Sequence, residues 1–385
     1  MAFRKSNVPG EDIRRAMEMP EKRRQLIAQT PAEPLPETYA VNELAKALHP
    51  GFMKAELVSK ESAGTDSCRF TFRSLRKDGR FPFFRAGQFI TLSAKVRDSF
   101  LTRPYSIASS PKEALDGQME VIIQRKGIFS SYMIDEAQTG DEFIMGEPSG
   151  DFCHDDLRDC DHILAIAGGS GITPFLSMMK AIREGSEDFR LTLLYGVRSR
   201  KQMLFDPEEF RDDRIRIETV LSDEEAEGYR HGFITSEILK EYVCGDTSVF
   251  LCGPDAMYRF VRQELESLGF PPERVRQERN SVGDREVAED TAYLLTVHIR
   301  DDVRTVAAKS SETVITALER AGIPAVVRCR NGVCGFCHSR VVRGSYYVAP
   351  ENDFRRAADR KFNYIHPCST YPLSDLEIEI PIFDA

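Results

Sequence analysis

The chain has 385 residues, of which 41% are hydrophobic and 29% charged, a composition typical of a soluble globular protein. Its formal charge of −9, with acidic and basic residues interspersed, excludes a basic face for nucleic acid. No apolar run approaches the roughly 18 residues that span a bilayer, and no signal-like stretch follows the first basic residues. We therefore expect a cytoplasmic protein without a membrane span. A monomer is compatible with the sequence, which leaves the oligomeric state open.

The first half of the chain changes from helical to strand-like patterns. Residues 1–50 predict a helical N-terminal extension, with short helices over EDIRRAMEM, PEKRRQLIAQ and VNELAKALH and a proline-rich stretch before the last. Its role cannot be deduced from the sequence. Residues 51–155 contain six short alternating segments separated by turn residues. This spacing predicts a small antiparallel β-barrel of the Greek-key type.

The second half begins with strands that alternate with helices. Residues 156–276 run through HILAIA, LTLLYGV, RIRIETVLS and SVFLCG with helical segments between them, which predicts a doubly wound parallel α/β domain. A charged linker is expected over residues 277–292, followed by a compact last domain over residues 293–385. The expected fold class is therefore multidomain, combining α+β and α/β parts.

A cluster of cysteines lies in the last domain. CRNGVCGFC has the spacing Cys-x4-Cys-x2-Cys, and a fourth cysteine follows in HPCST. Plant-type [2Fe–2S] clusters use this spacing, and glycines between the cysteines let backbone N–H groups approach the sulfurs. A zinc site is the alternative, but four-thiolate zinc sites favour two Cys-x2-Cys pairs, and only the iron cluster absorbs visible light. The expected ligands are Cys329, Cys334, Cys337 and Cys368.

The segments around these cysteines are LTVHIRDD, RTVAAKS, SETVITALERAG and LEIEIPI. They predict a hairpin, a helix and a closing strand, and the whole segment resembles plant-type ferredoxin domains, whose fold is β-grasp-like. A one-electron centre needs a donor, whereas pyridine nucleotides give a hydride. A flavin between them can accept the hydride and release single electrons.

RPYSIASS, residues 103–110, resembles the Arg-x-Tyr-Ser segment of the ferredoxin–NADP reductase superfamily. The resemblance implies that Arg103 neutralises the flavin phosphate, that Tyr105 packs on the isoalloxazine and that Ser106 hydrogen-bonds near N5. Pro104 stands between these residues as part of the same flavin-binding segment.

GIFSSYM resembles the superfamily's second flavin element and implies that Gly127 and Ser130 present N–H groups to a pyrophosphate. Its form is more like the FAD type, so FAD is expected rather than FMN. The stretch EPSGDF resembles the turn that ends the family's barrel, but it carries Glu147 where glycine is common.

AGGSGITPF follows the strand HILAIA and opens a helix, which is the context of a dinucleotide-binding loop. Its Gly-Gly-x-Gly-x-x-Pro pattern resembles the superfamily's form. Gly168, Gly169 and Gly171 are expected to let backbone N–H groups approach the pyrophosphate of NAD(P)H, and the resemblance implies that Thr173 lies near the nicotinamide.

LCGPDAM resembles the later Cys-Gly-Pro element of the family, which implies that Cys252, Gly253 and Pro254 lie by the nicotinamide. A buried strand-end cysteine is the alternative for Cys252. After the second strand, YGVRSRKQ carries Arg198 and Arg200 and no carboxylate. This charge favours a 2′-phosphate and hence NADPH, but arginine at the first position also occurs in NADH-using relatives, so the choice stays open.

The order of the three domains resembles phthalate dioxygenase reductase-type flavoproteins over residues 51–385. The resemblance implies a reductase that passes electrons from NAD(P)H through FAD and a [2Fe–2S] cluster to a separate protein, with Ser106, Thr173 and Cys252 as catalytic residues. An oxygenase, a demethylase, a corrinoid protein or a ferredoxin all fit as acceptor. Reverse flow to NAD(P)⁺, a relay subunit of a larger enzyme and a non-enzymatic module with structural metal are the alternatives.

Overall fold

A computed structural model of the chain describes residues 10–30, 38–278, 282 and 285–381. The chain forms two compact units, Met1–Lys46 and Ala47–Ala385, which are treated separately below. Within the described residues, no helix is both long and apolar enough to cross a membrane.

The first unit contains a single long helix, α1 (Gly10–Gln29), where the sequence predicted two helices meeting at Pro20. That prediction was wrong at this point. Glu18 lies 3.8 Å from Arg14 and 3.7 Å from Lys22, so ion pairs one turn apart continue across the proline. Helix α2 (Ala40–Leu48) matches the predicted VNELAKALH, and most of the proline-rich stretch before it lies outside the described residues.

The first sheet of the second unit is antiparallel and has six strands in the order β4-β3-β6-β1-β2-β5. A bridge between Ile107 and Val121 joins the two edge strands and closes the sheet into a barrel. Two short helices, α3 (Pro111–Leu115) and α4 (Ile128–Asp135), flank β5. The strands are β1 (Phe52–Ala63), β2 (Ser67–Ser74), β3 (Phe89–Val96), β4 (Ser99–Ser106), β5 (Gln118–Gln124) and β6 (Glu142–Gly146).

The second sheet is parallel throughout, with the order β10-β9-β8-β7-β11-β12. Its central strands are buried on both faces, as continuous apolar runs such as HILAIA require. The strands are β7 (His162–Gly168), β8 (Arg190–Val197), β9 (Ile215–Leu221), β10 (Arg230–His231), β11 (Thr247–Cys252) and β12 (Val275–Gln277).

The helices of this sheet are α5 (Thr173–Arg183), α6 (Ser236–Leu239) and α7 (Asp255–Ser267). Helix α6 is shorter than the predicted SEILKEYV, because the N–H groups of Tyr242 and Val243 both turn back to the Leu239 carbonyl and end it. The helix predicted near DPEEF is a single 3-10 turn, Pro207–Phe210.

The third sheet has five strands in the order β14-β13-β19-β15-β17, with β13 and β19 parallel, and a two-stranded ladder pairs β16 with β18. Helix α8 (Val314–Arg320) packs on this sheet, and the short helix α9 (Ala357–Lys361) precedes β17. The strands are β13 (Ala292–Ile299), β14 (Asp302–Lys309), β15 (Ser339–Arg343), β16 (Tyr346–Tyr347), β17 (Tyr364–Ile365), β18 (Tyr371–Pro372) and β19 (Leu376–Glu379).

The three sheets confirm the predicted multidomain fold class. Gln277, which the sequence assigned to the linker, is instead the last residue of β12, because it pairs with Leu251 of β11. The first and second sheets are joined by polar contacts. Lys180 of α5 lies 2.7 Å from Glu120 of β5, and the Ser177 hydroxyl donates to the Ser109 carbonyl at 2.7 Å.

Candidate functional site

The four motif cysteines come together in one pocket of the third sheet. Three of them lie in the loop between α8 and β15, and Cys368 follows in a 3-10 turn after β17. All but Cys334 are buried. The Cys334 and Cys368 thiols hydrogen-bond to the Cys329 sulfur, which lowers the pKa of Cys329 to about 2 and raises the pKa values of both donors. Cys368 also contacts Cys337, so the thiols stand close enough to share one inorganic core.

The backbone of the cysteine loop fits a [2Fe–2S] cluster. The Cys334 N–H points at the Cys329 sulfur at 3.4 Å, as expected for a loop that stabilises thiolates. Gly332 has φ +83°, and a Cβ there would lie 2.8 Å from the Ser369 hydroxyl. Within the described residues, no three His, Cys, Asp or Glu side chains are arranged to hold one metal ion. A zinc ion would need all four sulfurs, whereas each iron of a two-iron cluster takes two.

The second candidate centre lies at the carboxyl edge of the parallel sheet, where β11 ends. Cys252 is 2% exposed, and its thiol lies 3.5 Å from the Glu278 carboxylate. The Ser106 hydroxyl, at the end of barrel strand β4, donates to the same Glu278 oxygen at 3.0 Å. Glu278 therefore joins Ser106 and Cys252, two of the residues predicted to be catalytic.

The carboxyl of Glu278 is only 7% exposed. Burial raises the pKa of Glu278 to about 7, against the opposing hydrogen bonds from Ser106 and Cys252. Burial, with the Glu278 carboxylate beside it, also raises the pKa of Cys252 well above its usual value, so Cys252 is a neutral thiol. The Tyr258 hydroxyl donates to the Glu278 carbonyl and accepts from the Gly253 N–H, which fixes the chain on both sides of the site.

Glu278 was missed in the sequence because it is the second residue of QERNSVGDREVAED, a charged stretch that resembles a linker. The preceding residues, VRQ, contain one apolar side chain and give no clear strand pattern. Only the pairing of Gln277 with Leu251 in the folded sheet places Glu278 at the carboxyl edge, where ligands of parallel sheets bind.

The glycine loop packs directly against this centre. A Cβ at Gly171 would lie 2.1 Å from the Cys252 carbonyl, so only glycine allows the loop to approach β11. Gly169 faces open space, while Gly168 lies against Met257 and Pro254 at the start of α7. The loop thus leaves one side free for a ligand and packs the other against Cys252, Gly253 and Pro254.

Thr173 lies at the first position of α5 and is 3% exposed. Its hydroxyl donates to the Ser170 carbonyl at 2.8 Å. In this structure Thr173 therefore stabilises the loop, and it does not join the Ser106–Glu278–Cys252 cluster through a hydrogen bond.

The candidate specificity residues follow β8. Arg198 is exposed, and Arg200 donates from Nε to Glu224 at 2.7 Å and from its backbone N–H to the same carboxylate at 2.9 Å. Glu224 comes from the loop after β9. The residues next to Arg200 in the sequence include no carboxylate, because Glu224 is 24 residues away along the chain. The positive charge of Arg200 is consequently offset, which weakens the argument for NADPH.

The predicted pyrophosphate element lies at the start of α4. The Ser130 hydroxyl accepts from the N–H groups of Lys126 and Gly127 at 2.8 and 2.9 Å and so shapes the turn. The first N–H groups of a helix have no partner inside it. No atom lies within 4 Å of the position that a Cβ on Gly127 would take. This open, donor-rich turn fits an anionic part of a flavin cofactor.

The predicted phosphate-binding Arg103 meets the third sheet. Its Nη1 donates to Glu319 of α8 at 2.9 Å, and the same oxygen accepts from Arg330 of the cysteine loop at 2.6 Å. Two guanidinium groups share one carboxylate, so one positive charge is left for an anion such as a phosphate. Tyr105 stands beside both arginines; burial raises the pKa of its phenol, and the two positive charges oppose that rise. Pro104 pairs with Thr91 in the barrel sheet.

Glu147, the departure from the family's glycine, forms a second contact between the barrel and the third sheet. It lies just after β6, and its carboxylate accepts from Arg328 at 2.6 Å. The Arg328 side chain is 9% exposed and stacks on Phe336 of the cysteine loop, 3.6 Å from the ring centre. The barrel therefore contacts Arg328 directly through Glu147, and its Arg103 shares the buried Glu319 carboxylate of α8 with Arg330 of the cysteine motif.

Comparisons with known families agree with the order of the sheets. The model of an oxidoreductase FAD-binding domain matches residues 54–154, and that of an oxidoreductase NAD-binding domain matches residues 165–263. The model of a 2Fe-2S iron-sulfur cluster binding domain matches residues 297–373.

Curated relatives cover most of the chain. The ferredoxin reductase component of 3-ketosteroid-9-alpha-monooxygenase from Rhodococcus rhodochrous is 31% identical over 343 residues, 84% of this chain and 94% of that protein. The reductase subunit of glycine betaine monooxygenase from Chromohalobacter salexigens is 27% identical over 77% of this chain and 87% of its own. Among solved structures, phthalate dioxygenase reductase covers 86% of this chain and 98% of its own with a TM-score of 0.62 and 23% identity, which shows a common fold.

Proposed function

Since the chain belongs to the phthalate dioxygenase reductase-like family within the ferredoxin–NADP reductase superfamily, we propose that it supplies electrons to the oxygenase component of a monooxygenase system. It is an oxidoreductase that uses NAD(P)H, FAD and a [2Fe–2S] cluster and passes electrons to a separate protein. The observation that supports the proposal is that one barrel strand contacts both centres. Ser106 of β4 contacts Glu278, which follows the parallel sheet, and Arg103 of β4 contacts Glu319 of α8 beside the cysteine loop.

Bound flavin accepts a hydride and releases its electrons one at a time, and the cluster carries single electrons. The residues of this chain are proposed to position the nucleotide and the flavin for these steps. The glycine loop and the Cys252–Pro254 turn form the nucleotide side, with Cys252 as the neutral thiol that limits how far the nicotinamide can enter. Ser106 and Glu278 form the polar edge of the same pocket. Because Glu278 has its pKa near 7, it can hold a proton beside the hydride acceptor at neutral pH.

Arg103, Tyr105, Gly127 and Ser130 are proposed to hold the flavin, and the barrel is proposed to hand electrons to the third sheet. Arg103 orients the anionic part of the flavin while also meeting Glu319, so one side chain touches both the flavin site and the helix that precedes the cysteine loop. The Glu147–Arg328 pair fixes the other side of that loop. Both carboxylates of this junction are paired with arginine, and the side chains of Glu319 and Glu147 are 8% and 19% exposed.

The partner is proposed as an oxygenase because relatives that align over most of the chain are named as reductase components of monooxygenases. The first test is anaerobic addition of NADH to the pure, cofactor-loaded protein. Both visible chromophores are expected to bleach, the flavin first and the cluster after it. A protein whose flavin bleaches while its cluster stays oxidised would contradict the proposed electron path.

The second test uses candidate acceptors. A partner oxygenase component is expected to be reduced when NADH and this protein are both present, and substrate hydroxylation is expected to require both proteins. If the partner instead reduces this chain and NAD⁺ is converted to NADH, electron flow runs in reverse. Colourless protein that contains zinc would overturn the oxidoreductase assignment itself.

A further inference from the structure

One segment beside the cysteine loop is basic in a chain that is acidic overall. Residues 353–362, here called the basic arm, contain four basic and two acidic side chains in a protein whose formal charge is −9. The arm consists of a short loop and helix α9, and it lies between the ladder strand β16 and the last motif cysteine.

The arm is held directly against the cysteine loop. His366 Nδ1 donates to the Gly332 carbonyl at 2.6 Å, and its other ring nitrogen lies 4.0 Å from Asp359 of α9. On the other side, the carbonyl of Asn352, just before the arm, lies 2.9 Å from where a Cβ on Gly332 would stand. One peptide of the cysteine loop therefore lies between the segment that starts the arm and the histidine that supports it.

Internal pairs fix the shape of the arm and leave other charges exposed. Arg355 is 2.8 Å from Asp353 and donates to the Tyr346 hydroxyl at 2.9 Å, so it is part of the structure. The backbone N–H of Arg356 is capped by Asp359 at 2.9 Å. The side chains of Arg356 and Lys361 are exposed, and neither pairs with a carboxylate among the described residues.

Exposed apolar side chains accompany these charges. Phe354, three residues before α9, and Phe362, directly after it, are 47% and 60% exposed, and Val333, between two motif cysteines, is 53% exposed. Exposed aromatic groups beside a polar, charged rim are typical of protein interfaces, where rim charges control the rate of association. Electron transfer also requires the acceptor to come close to the cluster, and this surface borders the cysteine loop.

We propose that the basic arm, with Phe354, Phe362 and Val333, is the docking surface for the electron acceptor, and that the acceptor presents an acidic surface around its own redox centre. This inference rests on the proposed function and adds to it the charge of the partner. Charge complementarity selects this occupant: the arm has more basic than acidic side chains in a chain whose formal charge is −9, so an acidic protein is attracted to the arm more than to the chain as a whole.

The test measures NADH-driven reduction of two protein probes of opposite charge, an acidic plant-type [2Fe–2S] ferredoxin and the basic protein cytochrome c. The double variant Arg356→Glu with Lys361→Glu reverses both free charges of the arm. At low ionic strength we expect the second-order rate of ferredoxin reduction to fall about tenfold, and the rate with cytochrome c to rise. Salt is expected to reduce the difference between variant and parent.

The matched control is Lys77→Glu with Lys240→Glu, which makes the same change in net charge at exposed positions of the barrel and the parallel sheet. It is expected to change either rate less than about twofold. Equal effects of the two double variants, or a parent protein that does not reduce the acidic ferredoxin, would overturn the proposal. If the glutamate variant is misfolded, Arg356→Gln with Lys361→Gln gives the same test with smaller changes.

Failure of the docking surface is distinguishable from failure of the proposed function. Anaerobic bleaching of both chromophores by NADH needs no external acceptor. If NADH bleaches the parent and the arm variant equally, and both also reduce ferredoxin at the same rate, only the proposed docking surface is refuted. If the cluster of the parent does not bleach, the electron path itself is wrong.

Discussion

The barrel meets its two neighbours through junctions of different chemistry. Toward the parallel sheet, Ser106 meets Glu278, a single buried carboxyl that bonds to no basic side chain among the residues that the structure describes and has a pKa of about 7. Toward the third sheet, Glu319 and Glu147 are each bonded to arginine. The first junction, called the hydride junction below, keeps a proton available. The second, called the cluster junction, holds paired charges in fixed positions.

This difference corresponds to what each junction has to transfer. In the proposed function a hydride moves between atoms that must be within van der Waals reach, and the first junction consists of the side chains of Ser106, Cys252 and Glu278, which form no ion pair among the residues that the structure describes. An electron crosses longer gaps, and the second junction only has to hold two domains in one orientation. Buried ion pairs do this well, since removing one partner leaves an unpaired buried charge.

The largest effect is expected from a variant that removes the cluster and leaves the hydride junction unchanged. Cys334→Ala removes a predicted cluster ligand, so the visible absorbance of the cluster and the reduction of protein acceptors are expected to fall to background. The hydride junction is untouched, and NADH should still bleach the flavin at the parent rate. Cys244→Ala, at an exposed cysteine outside the motif, is the control and should change neither property. Loss of flavin bleaching in Cys334→Ala would show that the junctions are not independent.

The next prediction tests the proton at the hydride junction. Because the pKa of Glu278 is about 7, its carboxyl is neutral below pH 7 and ionises above it. Adding a hydride next to a carboxylate is unfavourable, so flavin bleaching by NADH should slow as pH rises through 7. Glu278→Gln should remove this pH dependence, and Glu278→Ala should slow the step about tenfold, equivalent to about 1.4 kcal/mol. Stopped-flow absorbance between pH 6 and 8 measures both effects.

Stability gives an independent measure of the same group. The folded-state pKa of Glu278 lies above the unfolded value of 4.5, so the folded protein binds this proton more tightly. Its contribution to the free energy of unfolding is therefore full below pH 4.5 and is lost as pH rises to 7. Above pH 7, Glu278→Gln is expected to be more stable than the parent by about 3 kcal/mol. Equal stability of the two proteins at pH 8 would mean that the carboxyl is not buried as described.

The cluster junction should respond to loss of one carboxylate in a different way. Glu147→Gln leaves Arg328 mostly buried without its ion-pair partner, which is expected to lower the free energy of unfolding by about 3 kcal/mol and to slow cluster bleaching relative to flavin bleaching. Glu142→Gln, at the start of β6 and in an exposed pair with Lys54, is the control and should change stability by less than about 1 kcal/mol. Equal effects of the two variants would contradict a special role of Glu147.

Local patterns allowed most of the fold and several of these contacts to be predicted. Six alternating segments predicted the barrel strands, and the spacing of CRNGVCGFC together with HPCST predicted four thiols that the structure brings together. Glu278 and Glu319 could not be predicted in the same way. Their partners, Ser106 and Arg103, are 172 and 216 residues away along the chain, and a single sequence contains no local signal for such pairs.

The helix around Pro20 shows a different kind of failure, in which a local rule gave a wrong prediction. Proline predicts a break because it removes a backbone donor, but α1 continues through it. The flanking segments consist largely of strong helix formers, and Glu18 bonds to charges on both sides of the proline. A local rule thus failed where several local interactions acted together, whereas the missed site residues depended on contacts between domains.

The smallest effect is expected on the preference between NADH and NADPH. Glu224 holds Arg200 by two hydrogen bonds, so we expect the parent to prefer NADH. Glu224→Gln frees a positive charge near the position of a 2′-phosphate and should raise kcat/KM for NADPH relative to NADH about threefold, because an exposed ion pair contributes less than about 1 kcal/mol. Arg200→Gln should lower the same ratio. If both variants leave the ratio unchanged, Arg200 does not contact the 2′ position, and Arg198 and Lys201 are the remaining basic side chains of that segment.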